Sequence, residues 1–508
     1  MKKIMMMAAI CVAAMMTANA QIVRTTVAQG EIEGEQHDGY TLFKAIPYAE
    51  APVGNLRWKK PIAKAPWQGV YKAENWGNRP WQSGDPNKGG SPMSEDCLYL
   101  GIQTPAKSTA ERLPVFVNIH GGGFSTGSYN GTQDSFVKEG IVYVSIEYRL
   151  GALGFMAHPE LSKESPEGIS GNYGIYDQIM ALSWIHDNIA AFGGDPEQVT
   201  ICGESAGGIS VAILCASPLC KGLFRNAISE SGSSHTPVSD QAHGGVGNNK
   251  TAAAAAELGA EFQKKFAKVK NIKQFRKVSA QEIINNTGYA QFWPVVDGVA
   301  IVDDIYKQYE QGNYNDVNVI VGYNSDEGSL FMHGGTMATY KAMVAAQFGP
   351  FAEKIMEAYP ATNDQEATWA LQDLMRDSMF GWGTWAWADL QSKTGKSNVY
   401  FYYFDQKSDN TMLKNTRGAT HVAEMPFIYD WHWGKMTKSE EHMAQILPQY
   451  WINFIKTGDP NADGLPYWTT YKRGESTVMY MKEGFHLTTD PNQKQMEAMD
   501  EMIKSVRK

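Results

Sequence analysis

The residues best equipped for chemistry form Gly203-Glu204-Ser205-Ala206-Gly207, with Gly208 behind them. A serine hydroxyl is a weak nucleophile until the backbone lifts it clear and a base takes its proton. The G-x-S-x-G spacing does the lifting, because small residues flank a sharp strand-to-helix turn where a Cβ would clash. The apolar run 199–202 before the motif and the small residues after it supply the strand and the helix start. The new helix N-terminus also favours negative charge developing beside the serine. Glu204 reads as a buried, hydrogen-bonded carboxylate that shapes the pocket. The chemistry expected of Ser205 is acyl transfer.

Acyl transfer passes through a tetrahedral oxyanion, which needs N–H donors aimed at the developing charge, each worth about 3 kcal/mol. The run 115–119 leads directly into His120-Gly121-Gly122-Gly123-Phe124. Three successive glycines let the backbone turn its N–H groups into a cleft, and a further donor comes from the residue after the nucleophile. The expected donors are therefore Gly122, Gly123 and Ala206. A phosphate-cradling loop does not fit, since no G-K-[ST] or G-x-G-x-x-G pattern follows. His120 reads as structural, because it precedes the serine where this chain order places no base.

An acid and then a histidine should follow the serine at the ends of later strands. After the apolar run 317–321 come Asp326 and Glu327, two candidate carboxylates. After the run 399–404 comes Gly418-Ala419-Thr420-His421-Val422-Ala423-Glu424. Of the 11 histidines, His421 alone follows both the serine and an acid candidate and sits in a loop after a strand. His333, His432, His442 and His486 have the order but lie in helical or tail contexts.

The elements that must position these residues alternate along the chain. Apolar, β-branched runs stand at 115–119, 141–146, 199–202, 227–229, 317–321, 399–404 and 478–481. Several are almost continuously apolar, as in strands covered on both faces. Helical patterns intervene, for example 176–191 and 252–268. This predicts a large α/β domain with a mostly parallel central sheet wrapped by helices. The spans 232–291 and 331–396 read as helical insertions above that sheet. With 43% hydrophobic and 19% charged residues, a disordered chain is excluded. The net charge of −9, with no Lys/Arg-rich run, argues against a nucleic-acid partner.

The start, Met1-Lys2-Lys3 followed by an apolar stretch and Ala18-Asn19-Ala20, has the form of a cleavable secretory leader. The expectation is an exported chain, periplasmic or secreted, with residues 21–508 as a single domain and no membrane span. Of the cysteines after the leader, Cys215 and Cys220 are the only pair close enough in sequence to suggest a disulfide, while Cys97 and Cys202 read as buried small hydrophobes. No His, Asp or Cys cluster has metal-ligand spacing, and no cofactor is implied. The oligomeric state is left open.

With these residues in place, the chain resembles the type-B carboxylesterase/cholinesterase family of α/β-hydrolases. The resemblance rests on Phe43-Lys44-Ala45-Ile46-Pro47-Tyr48-Ala49, Pro52-Val53-Gly54-Asn55-Leu56-Arg57, Ser94-Glu95-Asp96-Cys97-Leu98-Tyr99-Leu100, Tyr148-Arg149-Leu150-Gly151, Phe192-Gly193-Gly194-Asp195-Pro196 and Trp293-Pro294-Val295-Val296-Asp297-Gly298. It implies an α/β-hydrolase fold and a serine esterase, with Glu327 of the D-E-G motif as the acid and His421 as the base. It also implies structural ion pairs between Arg57 and Glu95 and between Arg149 and Asp177. The family's usual cysteine upstream of Cys97 is replaced within Asn78-Arg79-Pro80-Trp81, and Glu147 stands where Asn is usual.

By the same resemblance, the segment before Pro294 forms an acyl pocket. Gly288 and Ala290 replace bulky aromatics there, which predicts a roomy pocket unless Tyr289 or Phe292 fills it. Phe124, Glu204, Gly288, Ala290 and Phe292 are the pocket candidates. Trp76 and Trp81 are candidates for stacking on an alcohol group, and Trp382, Trp385 and Trp387 are expected to pack the helical cap. The substrate expected is a small to medium alkyl, aryl or carbohydrate-linked ester. The rival reading is a non-catalytic recognition protein on the same scaffold, but the family's adhesion members lose triad residues that survive here.

Overall fold

The computed structural model describes residues 21–507 except 130, 244–248, 409–412, 414–415 and 432–433. The leader 1–20 and His432 lie outside the described residues. Among the described residues the main sheet has eleven strands. From one edge to the other they run Phe485–Thr489, Thr477–Met481, Val399–Phe404, Asn318–Asn324, Asn226–Glu230, Gly194–Glu204, Leu113–Ile119, Val142–Ile146, Tyr99–Thr104, Thr41–Pro47 and Glu35–Gln36. The body from Thr477–Met481 to Val142–Ile146 is parallel throughout. The remaining strands add antiparallel edges on both sides.

The parallel body follows from its apolar runs. Alternate residues point to opposite faces of a strand, and here both faces are covered. Val319, Val321, Phe401 and Tyr403 join one core, while Ile320, Tyr400, Tyr402 and Phe404 join the other. The long helix Lys438–Thr457 closes the second face with Trp451, Phe454 and Ile455, which are almost fully buried. The helix expected at 176–191 spans Tyr173–Asn188 and continues as a 3-10 turn, Ile189–Phe192. The two insertions are helical as expected, carrying Ala252–Lys264 and Ala280–Asn285 in the first and Met337–Phe348, Asp364–Arg376 and Trp382–Thr394 in the second. Among the described residues no helix is long and apolar enough to cross a membrane.

The sequence leaves a Cys215–Cys220 disulfide open; in the structure both are free, buried thiols. Cys215 faces the core from the helix Ala206–Ala216, while Cys220 ends the separate turn Pro218–Cys220. Burial pushes the Cys220 thiol up to about 12, so neither it nor its neighbour is poised for thiolate chemistry. Cys97 and Cys202 are buried as well.

Both implied ion pairs are present. Arg57 Nε donates to Glu95 at 2.6 Å. Arg149 grips the fully buried Asp177 with Nε at 2.8 Å and Nη2 at 2.7 Å, and its backbone N–H adds a third donor at 3.1 Å. This second pair ties the loop after the Val142–Ile146 strand to the helix Tyr173–Asn188. Removing one partner of such a pair strands the other charge and costs about 3–5 kcal/mol. Arg149→Met is therefore expected to lower the thermal unfolding midpoint markedly, by calorimetry, with the fold otherwise retained. A midpoint equal to that of the unaltered protein would show that the pair contributes nothing net.

Candidate active site

Because the central strands are parallel, their C-terminal ends open on one edge, where α/β sheets place their ligands. Five neighbours in the sheet deliver the site. The Leu113–Ile119 strand ends at the glycine loop and Gly194–Glu204 at Ser205, while Asn226–Glu230 ends at Ser231. Asn318–Asn324 leads to Glu327, and Val399–Phe404 to the loop carrying His421. Residues far apart in sequence are thereby set side by side.

Ser205 takes φ 57° and ψ −122°, a backbone conformation that side chains rarely adopt. Its N–H donates to Glu230 O at 2.9 Å, and the helix Ala206–Ala216 begins directly after it. The flanking glycines are needed because the turn is so tight. A Cβ on Gly203 would run into the Gly207 backbone, and one on Gly207 into the carbonyl of Ile119.

The glycine loop turns with positive φ at Gly122, Gly123 and Phe124, of 103°, 61° and 54°. Thr126 and Ser125 donate their N–H groups to Gly122 O at 3.0 Å, which closes the turn. Among the described residues, the N–H groups of Gly122, Gly123 and Ala206 meet no acceptor in the protein. Buried N–H groups are almost always paired, so the free donors of buried Gly123 and Ala206, with that of half-buried Gly122, are what a negative oxygen would need. His120 braces the loop from beneath: its Nδ1 contacts Gly121 O at 2.9 Å and its ring stacks on Tyr148 at 4.4 Å. Its Nε2 lies 3.3 Å from Glu147 Oε2. Glu147 in turn accepts from Ser128 Oγ at 2.7 Å and Tyr129 N at 3.1 Å. Sequence reasoning assigned Glu147 no role. Its place at the end of a central strand was the signal.

His421 Nδ1 bonds Glu327 Oε2 at 2.6 Å. Glu327 is fully buried, and its other oxygen accepts from Ser231 Oγ at 2.6 Å and Asn324 N at 2.7 Å. Asp326 turns away to the Arg417 backbone N–H at 2.9 Å, so the geometry selects Glu327 as the histidine's partner. The imidazole lies between Phe380, stacked at 4.7 Å, and Phe331 at 5.3 Å. Phe380 comes from a π-turn, Asp377–Gly381, a rare feature found often at functional sites.

Glu204 is buried, but its Oε1 stands 3.2 Å from His421 Nε2 as an ion pair and makes no directed hydrogen bond. This departs from the hydrogen-bonded carboxylate expected. No hydrogen bond joins Ser205 to His421 among the described residues; such bonds often form only once substrate is bound.

Ser205 opens on a cavity of about 340 Å³. Gly123, Tyr289, Ala290, Trp293, Phe331 and Phe380 form part of its wall. The pocket candidates divide. Ala290 lines the cavity, whereas Gly288 stands exposed beside Gln291. Phe292 is buried against Phe262 at 5.1 Å, and Phe124 against Phe155 and Trp293. Trp76 packs edge-on against Tyr129, and Trp382 and Trp387 are wholly buried in the helical layer. Among the described residues no group of His, Cys, Asp and Glu could hold a metal ion.

Comparison with known proteins places this geometry. The sequence model of the carboxylesterase family matches residues 19–499. The fumonisin B1 esterase of Sphingopyxis macrogoltabida is 31% identical over 484 residues, covering 90% of this chain and 86% of that protein. The para-nitrobenzyl esterase of Bacillus subtilis (strain 168) is 30% identical, covering 93% and 96%. A solved structure of a PNB esterase superposes with a TM-score of 0.80 at 28% identity, covering 94% of this chain and 99% of that one.

The electrostatics of the site carry a pH prediction. Burial opposes charge on His421, but Glu204 and Glu327 outweigh it and lift its pKa to about 9. The imidazole accepts a proton only when neutral, so ester hydrolysis should rise with pH on the approach to that value. Glu204→Gln removes the largest of the three carboxylate charge contributions that hold the proton on, from Glu204, Glu327 and Glu424, and the midpoint of the kcat/KM profile should move to lower pH. An unmoved midpoint would remove Glu204 from this role.

Proposed function

Since this chain belongs to the carboxylesterase family, we propose that it hydrolyses its ester substrates with Ser205 as nucleophile, His421 as base and acid, and Glu327 as the group that orients His421. The observation that carries this reading is the 2.6 Å bond from Glu327 to His421 Nδ1, on the same sheet edge as Ser205 and three free N–H donors. With Nδ1–H donated to the Glu327 carboxylate, Nε2 carries the lone pair that the reaction needs. Ser205 Oγ attacks the carbonyl carbon as its proton passes to Nε2. The carbonyl oxygen becomes an oxyanion and is held by the N–H groups of Gly122, Gly123 and Ala206. Collapse breaks the bond to the alcohol oxygen, which takes the proton from Nε2, and an acyl-enzyme remains. Water repeats the sequence, releasing the acid and restoring Ser205. The residues described require neither a metal nor a cofactor for these steps.

The cavity volume supports small to medium alkyl, aryl or carbohydrate-linked esters as substrates, and its aromatic walls suit the first two. Two relatives are named for fumonisin B1 and para-nitrobenzyl substrates. Export by the leader 1–20, to the periplasm or beyond, belongs to the same proposal and rests on the Lys2-Lys3 start and the Ala18-Asn19-Ala20 site.

Ser205→Ala is expected to lower kcat by about 10⁴- to 10⁶-fold while leaving the fold intact. A serine-reactive phosphonate should label the unaltered protein once, at Ser205, and leave the variant unlabelled. Substantial esterase activity in the folded variant would refute the assignment.

A further inference from the structure

The segment before Pro294 does more than leave room. Ala290 N donates to Ser125 Oγ at 2.9 Å, which ties this segment to the glycine loop, and Ala290 holds a positive φ of 53°. The preceding Tyr289 is 65% exposed, yet its hydroxyl reaches down onto the site. A Cβ on Gly123 would lie only 2.6 Å from Tyr289 Oη. Tyr289, Gly123 and Ser205 line the same cavity.

Among the described residues the Tyr289 hydroxyl meets no hydrogen-bond partner in the protein. Two other polar side chains of the wall are engaged: Ser233 Oγ with His235 Nδ1 at 2.9 Å, and Asn249 with Ser234 at 3.2 and 2.9 Å. Burial and the nearby Glu204 raise the Tyr289 pKa, so the phenol stays protonated and is a donor.

The chemistry tells which half of the ester this donor meets. The leaving alcohol takes its proton from His421, so it must sit beside that ring, which Phe331 and Phe380 flank. The acyl group is then left on the Gly123 side, beneath Tyr289. We propose that Tyr289 is a specificity-determining residue: its hydroxyl donates a hydrogen bond to a neutral oxygen on the acyl chain close to the scissile carbonyl, as in an alkoxy- or hydroxyacyl ester. A carboxylate there would face Glu204 and is disfavoured. This rests on the esterase reading of the site given above.

Two para-nitrophenyl esters of nearly equal shape, methoxyacetyl and butyryl, isolate the effect, because one carries an ether oxygen where the other has a methylene. Their ratio of kcat/KM, compared between the unaltered enzyme and Tyr289→Phe, cancels the difference in intrinsic reactivity. The ratio is expected to fall about tenfold in the variant, with turnover of the butyryl ester reporting a folded site. An unchanged ratio overturns the proposal, and so does an equal loss on both esters, which would place the hydroxyl on the carbonyl oxygen common to both. Failure of the unaltered enzyme to hydrolyse either ester, or any of a wider panel, would instead overturn the esterase reading itself.

Discussion

A buried carboxylate fixes the rest of the site. Glu327 has no access to water, and an ionised carboxyl in that position is tolerated only if donors replace its hydration. Three do: Asn324 N, Ser231 Oγ and His421 Nδ1. Each comes from the end of a different parallel strand, so the pairing register of those strands is also the register of the site. Asn324↔Phe404 and Glu230↔Gly322 set the levels at which the loops depart. A slip of one residue would separate the donors from the charge they neutralise.

Glu327 is one of four buried glutamates near the histidine. Burial pushes Glu230 up to about 7 and Glu204 up to about 8, and holds Glu424 well above the usual carboxylate range. Trp451 Nε1 donates to Glu230 at 2.7 Å, and the Asn324 amide donates to Glu424. Burial and the neighbouring carboxylates thus favour the protonated form of Glu204 and Glu424. The consequence for catalysis has two sides. In the proposed mechanism a negative field stabilises the imidazolium that forms when Ser205 loses its proton, but it also holds a proton on the resting imidazole. The observed arrangement favours the charged state of His421, which suits a transition state that develops that charge.

Much of this was legible in the sequence because the chemistry depends on backbone turns, and turns need particular residues. The glycines around Ser205 and after His120 have no substitute at their angles. The parallel strands announced themselves as continuous apolar runs, since both faces are covered. The antiparallel edge strands Thr41–Pro47 and Tyr99–Thr104 carry no such signature and entered only through the motifs of the family resemblance. Ser231 and Glu147 were missed because a lone serine or glutamate has no distinctive spacing; only its position at a strand end gives it away. Gly288, Phe292 and Phe124 were read from position in a motif, which does not say which way a side chain turns.

The division between what the sheet supplies and what the insertions supply explains why substrate preference was the least legible property. Gly123, Ser205 and Ile209 are the share of the cavity wall that comes from the sheet and the helix Ala206–Ala216. The remainder, including Asn249, Tyr289, Phe331, Ser378 and Phe380, comes from the two helical insertions and their connections. The proposed triad and its donors are thus fixed by strand register, while the walls are built by segments that carry no part of that register. Exchanging a wall residue leaves the donors around Glu327 undisturbed. Chemistry and selectivity therefore answer to different parts of the chain, and only the first is constrained enough to leave a recurring pattern in the sequence.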